Sequence, residues 1–269
     1  MPDSNLADLL ATAETVARVC GQFVHSRQTE PFTVADKGFR DVVTEVDWDS
    51  QQLATRLIRQ RFPDHGFLAE ETDHGLPTTG PVIWAIDPLD GTVNFSRQLP
   101  AFAISVAAIV DGAPGVGVIY DPLRDEMFSA VRGAGCSLNG RPICASPLRN
   151  LNQALLALGW GRSDADRRRS MAVINRLTYR VMSLRAFGSY ALCLAWIAAG
   201  RLDAFFTYQP GPWDVAAGLL LVQEAGGLTS SLTGEKWDWA RPDTWRLTSN
   251  GHLHSQLLAA LPAVAEMEN

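Results

Sequence analysis

Asp87 and Asp90 bracket Pro88 and Leu89 and run into Gly91-Thr92, directly after the apolar stretch Val82 to Ile86. Asp-Pro and Asp-Gly are ordinary turn dipeptides, so alone this segment reads as a turn. Asp87, however, follows a run apolar enough to be a buried strand, and a charge at the rim of a packed sheet needs a partner. Other acids end apolar elements in the same manner: Glu70 after Gly66 to Ala69, Asp214 near the start of a helical stretch, and Asp47 near another. Each taken singly is explained as a turn former or as a favourable charge in the first turn of a helix. Together they form an oxygen-only ligand set with no His or Cys at comparable positions, which favours Mg2+ or Mn2+ over Zn2+. Four or five carboxylates gathered in one place require cations. Two or three ions would compensate them, and paired ions serve in-line phosphoryl chemistry. Gly91-Thr92 adds a hydroxyl and the start of a helix, a ready anion site. Metals beside an anion cradle point to hydrolysis of a phosphate ester.

The elements that must position these groups follow from periodicity. A helix is expected from about Ser4 to His25, with Asp3 or Ser4 as cap, and a second leads from Asp41-Val42-Val43-Thr44-Glu45-Val46-Asp47 to its stop at Pro63. The polar segment between them, which carries Lys37, reads as a loop. Strands are expected over Gly66 to Ala69 and Val82 to Ile86, then, after a short helix opening at Thr92, over Phe102 to Val110, Pro114 to Tyr120 and Glu126 to Val131, with a hairpin at Asn139-Gly140. The first half, about 1–150, is thus a mostly antiparallel meander flanked by helices. In the second half, about 151–269, strands and helices alternate. Strands are expected at Leu155 to Leu158, Val181 to Leu184, Ala204 to Tyr208 and Arg246 to Thr248, and helices at Asp164 to Leu177, Ser189 to Ala199, Trp213 to Ala225 and His252 to Leu261. Arg167, Arg168 and Arg169 read as a solvated helix face, and His252-x-His254 as a surface pair. With no repeats and no low-complexity linker, residues 1–269 are expected to form one α/β (α+β) domain of two joined halves.

Composition narrows the partners. A formal charge of −6 supplies no basic footprint, so direct nucleic-acid binding is not expected. No apolar stretch approaches the ~18 residues of a membrane span, and the first residues lack the pattern of a signal peptide. Cys20, Cys136, Cys144 and Cys193 form no C-x-x-C pair and lie in apolar surroundings, as buried free thiols of a reducing compartment would. A soluble cytoplasmic protein is expected.

Competing catalytic schemes lack their motifs: no G-x-S-x-G elbow, no G-x-x-x-x-G-K-[ST] loop and no G-x-G-x-x-G fingerprint occurs. The haloacid-dehalogenase phosphatases also carry Asp-Gly-Thr, but they need a nucleophilic Asp two residues earlier, where Pro88 stands. A phospho-aspartate route is therefore disfavoured. Four motifs in register instead resemble the inositol monophosphatase family. They are Asp41-x-x-Thr44-x-x-Asp47, the Glu70-Glu71 pair, Asp87-Pro88-Leu89-Asp90-Gly91-Thr92-x-Asn94-Phe95, and Trp213-Asp214-x-Ala216-Ala217-Gly218 with Glu224-Ala225-Gly226-Gly227.

The resemblance implies a layered α-β-α-β-α sandwich, commonly dimeric, and a Mg2+-dependent, lithium-sensitive phosphatase acting on a small phosphate ester such as inositol-1-phosphate. It implies Glu70, Asp87, Asp90, Asp214 and the Leu89 carbonyl as metal ligands. Asp47 and Thr92, with Glu70, would activate the attacking water, and Gly91, Thr92 and Lys37 would hold the phosphate, although Lys37 stands one residue nearer Asp41 than the family spacing. Arg185, Ser189, Tyr190 and Thr207 would face the substrate. Family members that hold inositol hydroxyls often place Glu where Thr207 stands and a small residue where Tyr190 stands. Histidinol phosphate, fructose-1,6-bisphosphate and nucleotides or NADP therefore remain alternative substrates, and Tyr190 could stack on an imidazole or base. Some bacterial members act as partners of the transcription machinery, which makes a regulatory role the non-enzymatic alternative.

Overall fold

Val82, Trp84 and Ile86 point to one side of their strand and Ile83 and Ala85 to the other, and the two sets belong to different apolar cores. A strand buried on both faces lies between two helical layers, and the whole architecture follows from that fact. The computed structural model describes residues 5–71, 75–208, 210–235 and 245–261. In chain order, α1 (Leu6–Arg27) precedes a hairpin of β1 (Val34–Gly38) and β2 (Asp41–Thr44), then α2 (Glu45–Arg61), β3 (Gly66–Ala69), β4 (Val82–Asp90) and the short α3 (Thr92–Ser96). The strands β5 (Ala103–Val110), β6 (Ala113–Asp121), β7 (Glu126–Val131), β8 (Gly135–Leu138) and β9 (Arg141–Pro142) follow. The rest comprises β10 (Leu155–Leu158), α4 (Asp164–Leu177), β11 (Ser183–Arg185), α5 (Tyr190–Ala198), β12 (Ala204–Tyr208), α6 (Pro212–Glu224), β13 (Leu228–Ser231), β14 (Trp245–Ser249) and α7 (His254–Ala260).

Strands β3 to β9 form one sheet in sequence order, antiparallel except for the parallel β3–β4 pair. A second sheet has the order β11-β10-β12-β14-β13, with β10 parallel to both its neighbours. Helices α1 and α2 cover one face of the first sheet through Leu9, Val16, Cys20, Val46 and Ile58 packed on Trp84, Ile86 and Val106. Helices α5 and α6 fill the space between the sheets, with Leu192, Leu194, Leu220 and Leu221 against Ala85 and Ile119 of the first and Ala157 and Phe205 of the second. Val173 and Leu177 of α4, with Leu253 just before α7 and Leu257 within it, close the far face. The result is the expected α-β-α-β-α order of layers. Apolar all round, α5 and α6 are core helices, as their composition requires.

Several local expectations change. Asn5 caps α1 by accepting from Ala7 N at 3.0 Å, while Asp3 and Ser4 lie outside the described residues. The segment carrying Lys37 is a strand hairpin rather than a loop, turning at Arg40 with φ 64°. Asp87 to Asp90 is not a turn: β4 continues to Asp90, and Pro88 is tolerated because the register with β5 shifts between Asp87 and Asp90, where no ladder bond from its nitrogen is needed. Cys144 is exposed, whereas Cys20, Cys136 and Cys193 are buried free thiols. His254 is buried, its ring nitrogens each 2.8 Å from a hydroxyl, Ser230 on one side and Ser249 on the other. Within the run Arg167 to Arg169 of α4 only Arg168 is exposed, and Arg169 turns inward to the Tyr208 hydroxyl at 3.2 Å. No helix among the described residues is long and apolar enough to cross a membrane.

Candidate active site

Each acid is delivered by the end of an element. Asp87 and Asp90 close β4; Leu89 N donates to Asp87 Oδ1 at 3.0 Å, and Ser50 Oγ of α2 donates to the Pro88 carbonyl at 3.0 Å, fixing the bulge. Glu70 follows β3, its backbone N bonded to the Ile86 carbonyl at 3.2 Å. Asp214 is the third residue of α6 and accepts from Gly211 N at 2.6 Å, a cap that also suits the helix dipole. These three elements converge: Glu70, Asp87 and Asp214 each offer a carboxylate oxygen within 4.8 Å of the others, with Asp87 buried and the other two half-buried.

Asp90 stands beside this trio and faces α5. Its oxygens accept from Tyr190 N at 2.9 Å, Ala191 N at 3.1 Å and the Ser189 hydroxyl, so the first sheet grips the amino end of a central helix. Asp47 lies in the first turn of α2 as half of a capping box. Its Oδ2 accepts from Thr44 N at 2.8 Å and Thr44 Oγ1 at 2.5 Å, and its Oδ1 accepts from Thr92 Oγ1 at 2.9 Å. Thr92 Oγ1 is also 3.1 Å from the Leu89 carbonyl, which connects the Asp47–Thr92 pair to the acidic strand end. Gly91 caps α3 with φ 93°, and a Cβ there would lie 2.8 Å from the Ala101 carbonyl, so only glycine fits. Asn94 holds the same helix in place by donating to the Ala101 and Phe187 carbonyls, each at 2.7 Å.

Burial, reinforced by the crowding of like charge, governs the protonation of the site. Burial first, then the charges of Glu70, Asp90 and Asp214, hold Asp87 well above the ordinary carboxylate range. Asp214 is raised well above it by burial and then by Glu70 and Asp90. Burial pushes Asp90 up to about 7 against the opposing pull of Ser189, Tyr190 and Ala191. Burial also raises Asp47 to about 6, with the Thr44 and Thr92 bonds pulling it back. Lys37 Nζ reaches Glu70 at 3.1 Å and Glu71 at 2.8 Å; burial opposes its charge, but the two carboxylates outweigh burial and raise its pKa. The donor set fits a divalent cation: hard oxygens only, too close together to be ionised without compensation.

Beyond the acids opens a cavity of about 320 Å3, lined by Lys37, Glu70 and Asp214 at its acidic end and by Arg162, Tyr190, Tyr208 and Trp213 among its other walls. Tyr190, expected at the substrate, is in this lining. Burial pushes its hydroxyl up to about 12, with Thr207 pulling the other way. Thr207 itself is buried behind Tyr190, and Ser189 is the buried cap of α5. Arg185 is placed elsewhere: it is exposed on β11 and bonds Ser183 Oγ and the Leu184 carbonyl, outside the residues lining the cavity. Sequence reasoning passed over Arg162. Its signal was position, in the loop leaving the carboxyl end of β10, where ligands of parallel strands gather.

A profile of the inositol monophosphatase family matches residues 5–266. The chain belongs to the inositol monophosphatase family. It is 40% identical over 229 residues to the Nus factor SuhB of Escherichia coli K12, covering 84% of this chain and 86% of that protein. It is 36% identical over 265 residues to inositol monophosphatase 1 of Solanum lycopersicum, covering 96% of each. Its fold superposes on the extragenic suppressor protein suhB of Bartonella henselae with a TM-score of 0.90 at 31% identity, over 96% of this chain and 99% of the other. Membership in a family of phosphatases and the likeness to the plant enzyme make this chain a phosphatase enzyme.

Proposed function

We propose that the enzyme is a Mg2+-dependent phosphomonoesterase of broad specificity for small phosphate esters, inositol-1-phosphate among them, acting by direct attack of water without a covalent intermediate. The observation that carries this reading is the convergence of Glu70, Asp87 and Asp214 within 4.8 Å, with the Asp47–Thr92 pair bonded at 2.9 Å beside it. Mg2+ held by these acids, Asp90 and the Leu89 carbonyl would lower the pKa of water and neutralise charge on the phosphoryl group; Mn2+ suits the same oxygens.

The chain's own groups do the rest. Asp47, raised to about 6, is mostly ionised at neutral pH yet basic enough to take a proton, as a general base requires. Its bond to Thr92 Oγ1 orients that hydroxyl, and Thr92 can accept a proton from water as it donates its own to Asp47. The Gly91 and Thr92 amides at the start of α3 and the Lys37 ammonium provide donors for phosphate oxygens. Pro88 occupies the position that a phospho-aspartate mechanism would need for its nucleophile.

On the alcohol side, the Tyr190 ring takes up space that a small residue would leave open, and Thr207 offers no carboxylate to polyol hydroxyls. Both features support broad use of esters, with histidinol phosphate, fructose-1,6-bisphosphate and nucleotides or NADP alongside inositol-1-phosphate. Phosphate release from this panel with Mg2+, Ca2+ and Li+ tests the reading. Activation by Mg2+ and inhibition by Li+ are expected, and a strong preference for histidinol phosphate over all others would overturn the inositol-type assignment.

Likeness to a relative named as a Nus factor supports a second role, as a partner of the transcription machinery. Replacing exposed Arg168 should weaken such an association and leave hydrolysis unchanged. A homodimer is supported by Tyr179 and Met182, 92% and 66% exposed beside the edge strand β11. Sedimentation of the purified protein decides this point.

A further inference from the structure

Arg162 is a cation of the cavity wall that the chemistry above does not use. It stands between Gly161 and Ser163, the cap of α4, and the fold goes to some length to place it. Gly161 has φ 71°, and a Cβ there would lie 2.3 Å from the Asp166 Cβ, so the chain passes the helix at a distance only glycine allows. The Arg162 carbonyl accepts from Arg40 Nη1 at 3.2 Å, and Arg40 also pairs with Asp164 at 2.8 Å, which ties the Lys37 hairpin to this loop. The Arg162 guanidinium gives one nitrogen to Asp41 at 2.9 Å and is 67% exposed. A guanidinium has five N–H donors in a planar fork, so most of its capacity remains for a ligand.

The acids near it are committed. Asp166 Oδ2 accepts from Ser163 N at 3.2 Å and Ser163 Oγ at 2.6 Å, and Asp166 Oδ1 lies 3.7 Å from Arg169. Glu70 and Asp214 belong to the cation cluster. The cavity lining therefore adds Arg162 to the phenol of Tyr190 and the indole of Trp213, in reach of the part of an ester that the acids do not hold.

We propose that Arg162 binds a second anionic group, carboxylate or phosphate, on the alcohol half of the substrate, so that doubly anionic phosphate monoesters are taken in preference to neutral polyol phosphates. A cavity of about 320 Å3 suits an ester of sugar size. This inference rests on the phosphatase reading above.

The test compares the wild type, Arg162→Gln and Asp41→Asn on two charged esters, fructose-1,6-bisphosphate and 3-phosphoglycerate, and two neutral ones, inositol-1-phosphate and glycerol-2-phosphate. The wild type should show lower KM for the charged pair. Arg162→Gln should raise those KM values about tenfold, equivalent to ~1.4 kcal/mol, with kcat little changed and the neutral pair affected less than about twofold. A response to one charged ester alone identifies the carboxylate or the phosphate as the group read. Asp41→Asn, which breaks the tie to the hairpin but keeps the guanidinium, should not raise KM for either charged ester. Equal losses on charged and neutral esters, or an Asp41→Asn pattern matching Arg162→Gln, overturns the proposal. Failure to hydrolyse any ester would sink the phosphatase reading instead. In that event calorimetric binding of 3-phosphoglycerate to the wild type and to Arg162→Gln still decides, since equal affinities refute a role for Arg162.

Discussion

Asp87→Asn should stabilise the metal-free protein while destroying its activity. Asp87 accepts a bond from Leu89 N and offers an oxygen within 4.8 Å of those of Glu70 and Asp214. At 4.8 Å, the outer limit of that cluster, two ionised carboxylates repel by about 3.5 kcal/mol at an effective dielectric of ~20. Two neighbours make the gross repulsion about 7 kcal/mol. Burial first, and this repulsion after it, hold Asp87 and Asp214 well above their ordinary pKa, so the folded protein avoids part of the repulsion by holding protons. An asparagine keeps an oxygen for Leu89 N and turns an amide donor toward the carboxylates. After the discount for retained protons and imperfect geometry, a gain of about 2–4 kcal/mol near pH 8 is expected, or roughly 4–8 °C in Tm for a domain of this size. Thermal denaturation in EDTA measures the gain, and repetition with saturating Mg2+ shows whether the variant has lost the metal-induced shift of the wild type. A variant less stable than wild type in EDTA, or one stabilised by Mg2+ to the wild-type extent, would refute the reasoning.

Acids whose folded pKa is raised stabilise the fold below their unfolded pKa, near 4, and lose that contribution as pH rises through the folded value. With Asp47 at about 6 and Asp90 at about 7, the metal-free Tm should fall between about pH 4 and pH 8, and Mg2+ should restore more at pH 8 than at pH 5. A metal-free Tm that rises across this interval contradicts the assignment. Thr92→Val removes the hydroxyl bonded to Asp47 and should lower kcat by about 10²-fold or more with KM little changed, read from initial rates. Gly91→Ala forces a Cβ against the Ala101 carbonyl at φ 93° and should cost about 1–3 kcal/mol in urea denaturation.

The acids stood out in the sequence because each lies at one terminus of an element, Glu70, Asp87 and Asp90 at strand ends and Asp47 and Asp214 in first helical turns. The layering was implied by the family resemblance and not by periodicity; in the structure it rests on α5 and α6, apolar over most of their length, and on β4, buried on both faces. The hairpin at Val34–Gly38 was not: its burial pattern is exposed throughout, so alternation had nothing to report, and its pairing with β2 is a tertiary fact. The strand character of Pro88 was hidden because a register shift supplies the tolerance that proline needs, and register is set by the partner strand. His254 was misplaced for a related reason. Its burial depends on hydroxyls of Ser230 and Ser249 that approach only once β13 and β14 pair. That Arg162 lines the cavity and Arg185 does not depends on the direction of the loops that carry them, which leaves little trace in local pattern.

Glu70, Asp87 and Asp214 are proposed to hold the divalent ion on which phosphate release depends. The most direct measurement is the initial rate of phosphate release from inositol-1-phosphate as Mg2+ is removed by EDTA and restored in excess, on wild type and Asp87→Asn side by side. Wild-type activity should vanish with EDTA, return with Mg2+, and be absent from a folded Asp87→Asn. Hydrolysis indifferent to EDTA, or full activity in Asp87→Asn, would contradict it.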